Sequence, residues 1–229
     1  MKKGVSIILL LILLWGVVAA LSEMPFGKAK LEVAGHYTDY GKEDTGAANI
    51  VTSVVLGYRG FDTLGEVTVL FLACIGLAVV LSTLKKQGCG ARQTPSLILN
   101  TGFRFLFPLI LLFGTYVFMH GHLSPGGGFQ GGAVIASGFV LMYLSVPKIK
   151  RLNHFVSTLF ESVGGLIFLV IGLIGLKLGS QYFLNNFLPN GEFNTLLSAG
   201  IIPVIYIAIG FKVGSELSKI IDVLLEESE

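Results

Sequence analysis

Seven ionisable residues stand in or at the ends of long apolar runs: Asp62, Glu66, Arg104, Glu161, Lys177, Lys212 and Glu216. A charge at bilayer depth costs about 2.5 kcal/mol or more even on the lenient insertion scale, so such residues turn toward protein or water and often line ion pathways. Lys177, Lys212 and Glu216 fall near the ends of their runs, where snorkelling accounts for them, and Lys212 with Glu216 is an ordinary i, i+4 pair. Arg104 lies about two turns inside its run, with Asn100 one turn earlier on the same face. Glu161 is expected at equal depth from the same side, which invites either an Arg104 to Glu161 ion pair or a relay. Glu66 has two readings as well. Thr63-x-x-Glu66 fits a capping box that closes a helix N-terminus, and the carboxylate equally fits an ion-carrying group.

A second candidate is the eleven-residue polar and glycine-rich connection from His120 to Gln130. Clamped between apolar runs, its backbone must be solvated or held by neighbouring protein, because lipid cannot satisfy it. Gly126, Gly128 and Gly131 formally match G-x-G-x-x-G, but an apolar helix precedes them where a nucleotide site needs a strand. Pro125 fixes the chain direction, Gly126, Gly127 and Gly128 permit unusual dihedrals or close approach, and a new helix is expected near Phe129. A tight interhelical turn remains the simpler account. His120 and His122, two apart, share no helical face and read as solvated residues without a third metal ligand. Ser124 and His122 make no hydrolase, since Pro125 offers no amide for an oxyanion site. Cys74 and Cys89 are fifteen residues apart, about 22 Å along a helix, too far for a disulfide. No metal or cofactor pattern occurs, so no cofactor is expected.

These residues need a membrane scaffold. At 53% hydrophobic, 13% charged and mean hydropathy +0.79, the 229-residue chain is far from soluble composition. It reads as an all-α multi-pass bundle in the cell membrane. About six spanning helices are expected, at residues 4–21, 64–84, 96–119, 129–146, 155–176 and 195–212, with a short re-entrant or interfacial helix at 47–56. The first run is longer than a signal-peptide core and is read as a span. Residues 23–46 read as a solvated loop. The basic turn at 85–95 divides a 1–87 module from an 88–229 module. Gly175-x-x-x-Gly179 and Gly210-x-x-x-Gly214 mark close helix contacts. Alternate threading puts nine basic residues on one side (Lys2, Lys3, Lys85, Lys86, Arg92, Lys148, Lys150, Arg151, Lys219) against Lys28, Lys30 and Lys42 on the other. Both termini should then be cytoplasmic and the glycine-rich connection external. A net charge of +2 speaks against nucleic acid, and no inverted repeat suggests a complete carrier.

Two motifs carry a family resemblance. Asn49-Ile-Val with Tyr58-Arg-Gly-Phe-Asp-Thr-Leu-Gly-Glu66-Val-Thr-Val resembles the C-terminal helices of the large A chain of Mrp-type sodium/proton antiporters. Arg104 with Gly121-His-Leu-Ser-Pro-Gly-Gly-Gly-Phe-Gln-Gly-Gly132 resembles their B chain. Fusion of the two is similar to the archaeal sulfane-sulfur reductase and membrane-bound hydrogenase complexes. The resemblance implies partners among other membrane subunits, sodium ions and protons as cargo, and a peripheral iron–sulfur redox arm. A stand-alone antiporter subunit and a purely structural scaffold are the alternatives. It makes Glu66, with Asp62 and Arg59 in the same motif, a candidate for the ion pathway, and Pro125 and Phe129 sensitive positions. The long antiporter-like part of the Mrp A chain is absent, so this chain reads as a non-catalytic contributor to an ion-pumping oxidoreductase complex.

Overall fold

The computed structural model describes residues 2–23, 32–83, 95–146, 153–179 and 182–227. Lys28, Lys30, the basic turn with Lys85, Lys86 and Arg92, Cys89, and Lys148, Lys150 and Arg151 lie outside the described residues. The described residues are helical with no strand: α1 (Lys2–Glu23), α2 (Glu32–Thr45), α3 (Ile50–Thr52) running into a π-helical turn (Ser53–Tyr58), α4 (Gly60–Thr83), α5 (Leu97–Met119), α6 (Gly128–Ser145), α7 (His154–Gly179) and α8 (Ile202–Glu227). Two compact units divide between His36 and Tyr37.

In the first unit α1 is an apolar helix whose side chains are almost all exposed, with Trp15 at 74%. Such a surface is stable against lipid or another apolar helix, not water. In the second unit, α4, α5, α6 and α7 are long and apolar enough to cross a membrane, as is α1 in the first. The chain is a multi-pass membrane protein.

The expected loop at 23–46 is corrected over its second half, because α2 occupies Glu32–Thr45. Its C-terminal part is held by packing the sequence does not announce: Tyr37 stacks on Tyr58 at 4.5 Å, and Tyr58 donates to Asp44 at 2.6 Å. The expected short helix exists as α3 and its π-helical continuation. Asn49 caps it, accepting from the Val51 amide at 3.1 Å.

α8 is the axis of the second unit and packs on α4, α5, α6 and α7. Its residues Ile202, Ile205, Tyr206, Ile209 and Val213 form one buried cluster with Leu56, Val67 and Phe168. Close approach to α6 depends on small residues. A Cβ on Gly132 would stand 2.9 Å from both the Gly210 carbonyl and the Gly214 amide, as the Gly210-x-x-x-Gly214 spacing implied. Gly175-x-x-x-Gly179 instead faces a loop, Gly175 lying against the Asn185 backbone at 2.6 Å to a built Cβ.

The expected sixth span at 195–212 is corrected: the last helix begins later and runs further, and among the described helices five, without this one, are long and apolar enough to cross a membrane. Residues 195–201 form turns, with Ala199 in the left-handed region at φ 66°, and α8 continues to Glu227. Lys212 and Glu216 therefore sit in mid-helix. Snorkelling cannot account for them, since both are buried at 5% and 1% exposure.

Candidate functional site

Lys212, Glu216 and Lys219 are spaced i, i+4, i+7 along α8, which puts all three on one face. That face meets α4 and α7. Lys212 Nζ donates to Glu216 Oε2 at 2.6 Å and sits 5.4 Å from the centroid of the Phe71 ring, over its negative face. One turn further, Lys219 Nζ donates to Glu161 Oε2 on α7 at 3.2 Å and to Thr158 Oγ1 at 3.4 Å. A cavity of about 80 Å³ opens between the two ion pairs, lined by Cys74 on α4, Glu161, Glu216 and Lys219 among apolar side chains. Glu216 Oε1 is buried there with no N–H or O–H donor in reach among the described residues, and the Cys74 thiol beside it is the one weak donor that serves Glu216 from the cavity wall. A buried carboxylate oxygen left to a weak thiol donor is costly, so this atom marks the place where the cavity wants a polar occupant.

Of the two readings left open for Arg104 and Glu161, the mutual ion pair is not formed. Arg104 is exposed on α5, α5 packs chiefly on α6 and α7 on α8, and Lys219 is the partner of Glu161. The capping role for Glu66 is corrected too. α4 begins at Gly60, so Thr63 lies within its first turn and its hydroxyl donates to the Val55 carbonyl at 2.7 Å. Glu66 stands exposed on α4. Asp62 is also exposed and pairs with the neighbouring Arg59. Lys177 is exposed near the end of α7. The structure thus brings Glu161 into a charged cluster and leaves Glu66, Asp62 and Arg104 outside it. Lys212, Glu216 and Lys219 were legible as one face from their spacing; Cys74, distant in sequence, carried no signal.

The glycine-rich connection forms a second polar centre. Its backbone is held by protein: Asn49 Nδ2 donates to the carbonyls of Gly121 and Ser124 at 2.8 and 3.0 Å, and the Asn49 amide to the His122 carbonyl at 3.0 Å. Thr52 Oγ1 donates to the Gly121 carbonyl at 2.7 Å and shares a 2.8 Å hydrogen bond with Tyr206 Oη. Gly126 and Gly127 take φ values of 157° and 156°, which side chains resist. Gly128 opens α6, and a Cβ there would stand 2.6 Å from Ile209 Cβ and 2.9 Å from the Tyr206 carbonyl. Pro125 is exposed at the bend and Phe129 half-buried against the core cluster.

The histidines do not behave as a solvated pair. His120 stacks on Tyr116 at 4.2 Å, whereas His122 is fully buried because the 182–201 loop covers it. Its Nε2 lies 3.3 Å from the Thr195 carbonyl; a carbonyl only accepts, so Nε2 carries the proton and Nδ1 is left without a partner. Burial pushes the His122 pKa below the ordinary histidine value. No group of three or more potential metal ligands occurs among the described residues.

Residues 98–219 match the family described as a domain related to the MnhB subunit of a Na+/H+ antiporter. The chain belongs to the MnhB-related family. Residues 5–89 of this MnhB-related chain match a second family, MbhE, which describes one of the subunits of MBH. An uncharacterized protein of Methanocaldococcus jannaschii is 33% identical over 195 residues, 74% of each chain. Among solved structures, a chain of the membrane-bound sulfane sulfur reductase (MBS), an archaeal respiratory membrane complex, is similar at 45% identity over 98% of both chains, with a TM-score of 0.76. A chain of the Mrp complex from Dietzia sp. DQ12-45-1b is similar at 25% identity with a TM-score of 0.71, over 97% of this chain and 26% of that one. The MnhB-related chain thus spans about a quarter of that Mrp chain.

Proposed function

We propose that this chain is a membrane subunit of an Mrp-type sodium/proton-translocating module within an archaeal respiratory complex of the sulfane sulfur reductase kind. The observation that carries the reading is the 45% identity to an MBS chain over 98% of both lengths. Two modules in one chain, 1–87 and 88–229, are supported by family matches that end at 89 and resume at 98. Its partners are the other membrane subunits, a peripheral iron–sulfur arm supplies the redox step, and sodium ions and protons are moved. Glu66, exposed on a helix of membrane length, is the carboxylate this chain offers to a route shared with a neighbouring subunit. The glycine-rich turn closes the outer end of the module, and both termini are cytoplasmic, with α8 as a sixth crossing that is polar on the face it buries; the nine-to-three basic asymmetry of that threading supports the reading.

Reconstituted complex with and without this chain tests the reading. Sodium-coupled proton movement should collapse in its absence, and undiminished coupling overturns the assignment. In the assembled complex Glu66→Gln should abolish coupling and Glu66→Asp restore part of it; normal coupling by Glu66→Gln removes Glu66 from the route and leaves a scaffold. A cysteine at Ser124 should react with an impermeant reagent from outside and one at Asn153 only from inside, and the reverse pattern inverts the topology.

A further inference from the structure

The cavity between α4, α7 and α8 has no part in that assignment, which rests on likeness and on Glu66, yet it has the makings of a site. Its walls carry two carboxylates, Glu161 and Glu216, which belong to different helices, and one ammonium group, Lys219, while Lys212 holds Glu216 from outside the cavity. A structural ion pair needs no empty volume beside it. Here the volume of about 80 Å³ exceeds the roughly 10–15 Å³ that a single water requires, and Glu216 Oε1, which has no N–H or O–H donor among the described residues, belongs to a lining side chain only 1% exposed.

We propose that the cavity is a proton-loading site, in which water joins Glu216 Oε1 to the Glu161 carboxylate and a proton taken from solvent comes to rest on Glu216. The inference rests on the ion-translocating reading above and adds the residues that handle the proton. Solvent reaches the pair at Lys219, whose side chain is 30% exposed while those of Lys212 and Glu216 are 6% and 1%. A hydronium ion there gives one proton to Glu161: an O–H bond forms on the carboxylate, one breaks on the hydronium, and water remains. Glu161, now neutral, releases Lys219, which keeps its own proton. The cavity water then accepts the carboxyl proton from Glu161 as it donates another to Glu216 Oε1. Glu161 returns to the carboxylate and re-forms its pair with Lys219. The loaded site differs from the resting one by a single proton, held on Glu216, and Lys212 keeps its charge over the Phe71 ring. Cys74 lines the water-bearing volume and sets its width without bearing the proton.

The test is infrared difference spectroscopy on the intact complex after a pH step, read beside ion transport. A protonated-carboxyl band that shifts in D2O should appear on acidification. Glu216→Gln should abolish it; Glu161→Gln should slow its appearance by about a hundredfold, and Glu161→Asp should recover part of the rate. Cys74→Leu, which narrows the cavity, should also slow loading, while Cys74→Ala, which removes the same thiol beside Glu216 and narrows nothing, should not. If the band survives in Glu216→Gln, or if Cys74→Leu and Cys74→Ala load alike, the proposal is overturned; the cysteine pair decides the matter should Glu216→Gln fail to assemble. Transport that persists without this chain would remove the functional assignment while a band lost in Glu216→Gln still upheld the site.

Discussion

The turn between α5 and α6 gathers polar backbone, whereas the inward face of α8 gathers polar side chains. In the turn, Asn49 and Thr52 on a short helix supply fixed donors to the carbonyls of Gly121 and Ser124. On α8, Lys212 and Lys219 neutralise Glu216 and Glu161. The first arrangement depends on shape, since its donors serve only if the backbone stays within hydrogen-bond reach. The second depends on charge balance and tolerates a cavity beside it. The two regions should therefore fail in different ways.

Removing one charge of the α8 pair should do the most damage. Glu216→Leu leaves Lys212 buried and unpaired, and should lower the stability of the purified complex by about 3–5 kcal/mol. The double variant with Lys212→Met should recover most of that loss in thermal unfolding; no recovery would mean that shape governs here as well. In the turn, Gly128→Ala forces a Cβ to within 2.6 Å of Ile209 Cβ, and should cost about 1–3 kcal/mol as overpacking. Leu123→Ala, adding no atom, should be mild. Thr52→Val removes the hydroxyl from the Gly121 carbonyl and Tyr206 while Asn49 still serves that carbonyl, so a smaller loss, about 1 kcal/mol, is expected.

His122 sharpens the contrast through pH. Burial lowers its pKa in the folded chain, so the unfolded chain binds the proton more tightly. Stability from this residue is complete above the ordinary value of about 6.5 and declines as pH falls from there through the lowered one. Thermal unfolding followed across mildly acidic pH should show this decline, and His122→Phe should flatten it. The smallest effect belongs to Arg104. Exposed on α5 and outside both regions, Arg104→Gln should change the stability of the isolated chain by less than about 0.5 kcal/mol.

Much of this was legible along the chain. Apolar runs of membrane length announced the spanning helices, because lipid leaves backbone no choice but to bond within the helix. Pro125 and its glycines announced the turn, and Gly210-x-x-x-Gly214 announced a close helix contact without naming its partner, because absent side chains leave a local mark. The motifs around Glu66 and Gly121 also pointed to the family before any coordinate. What one dimension could not supply was which helices meet. Equal depth made Arg104 and Glu161 look like partners, but α8 is the neighbour of both helices and brings Lys219 to Glu161 instead. Thr63 read as a cap until the π-helical turn moved the start of α4 back to Gly60 and gave its hydroxyl to Val55. Lys212 and Glu216 read as a helix end until α8 proved to run to Glu227. The local pattern of apolar and small residues sets where helices form and how closely they can approach, since both depend on a few neighbours in sequence. The partners of a buried charge depend on which distant helices surround it, and only the packed bundle decides that.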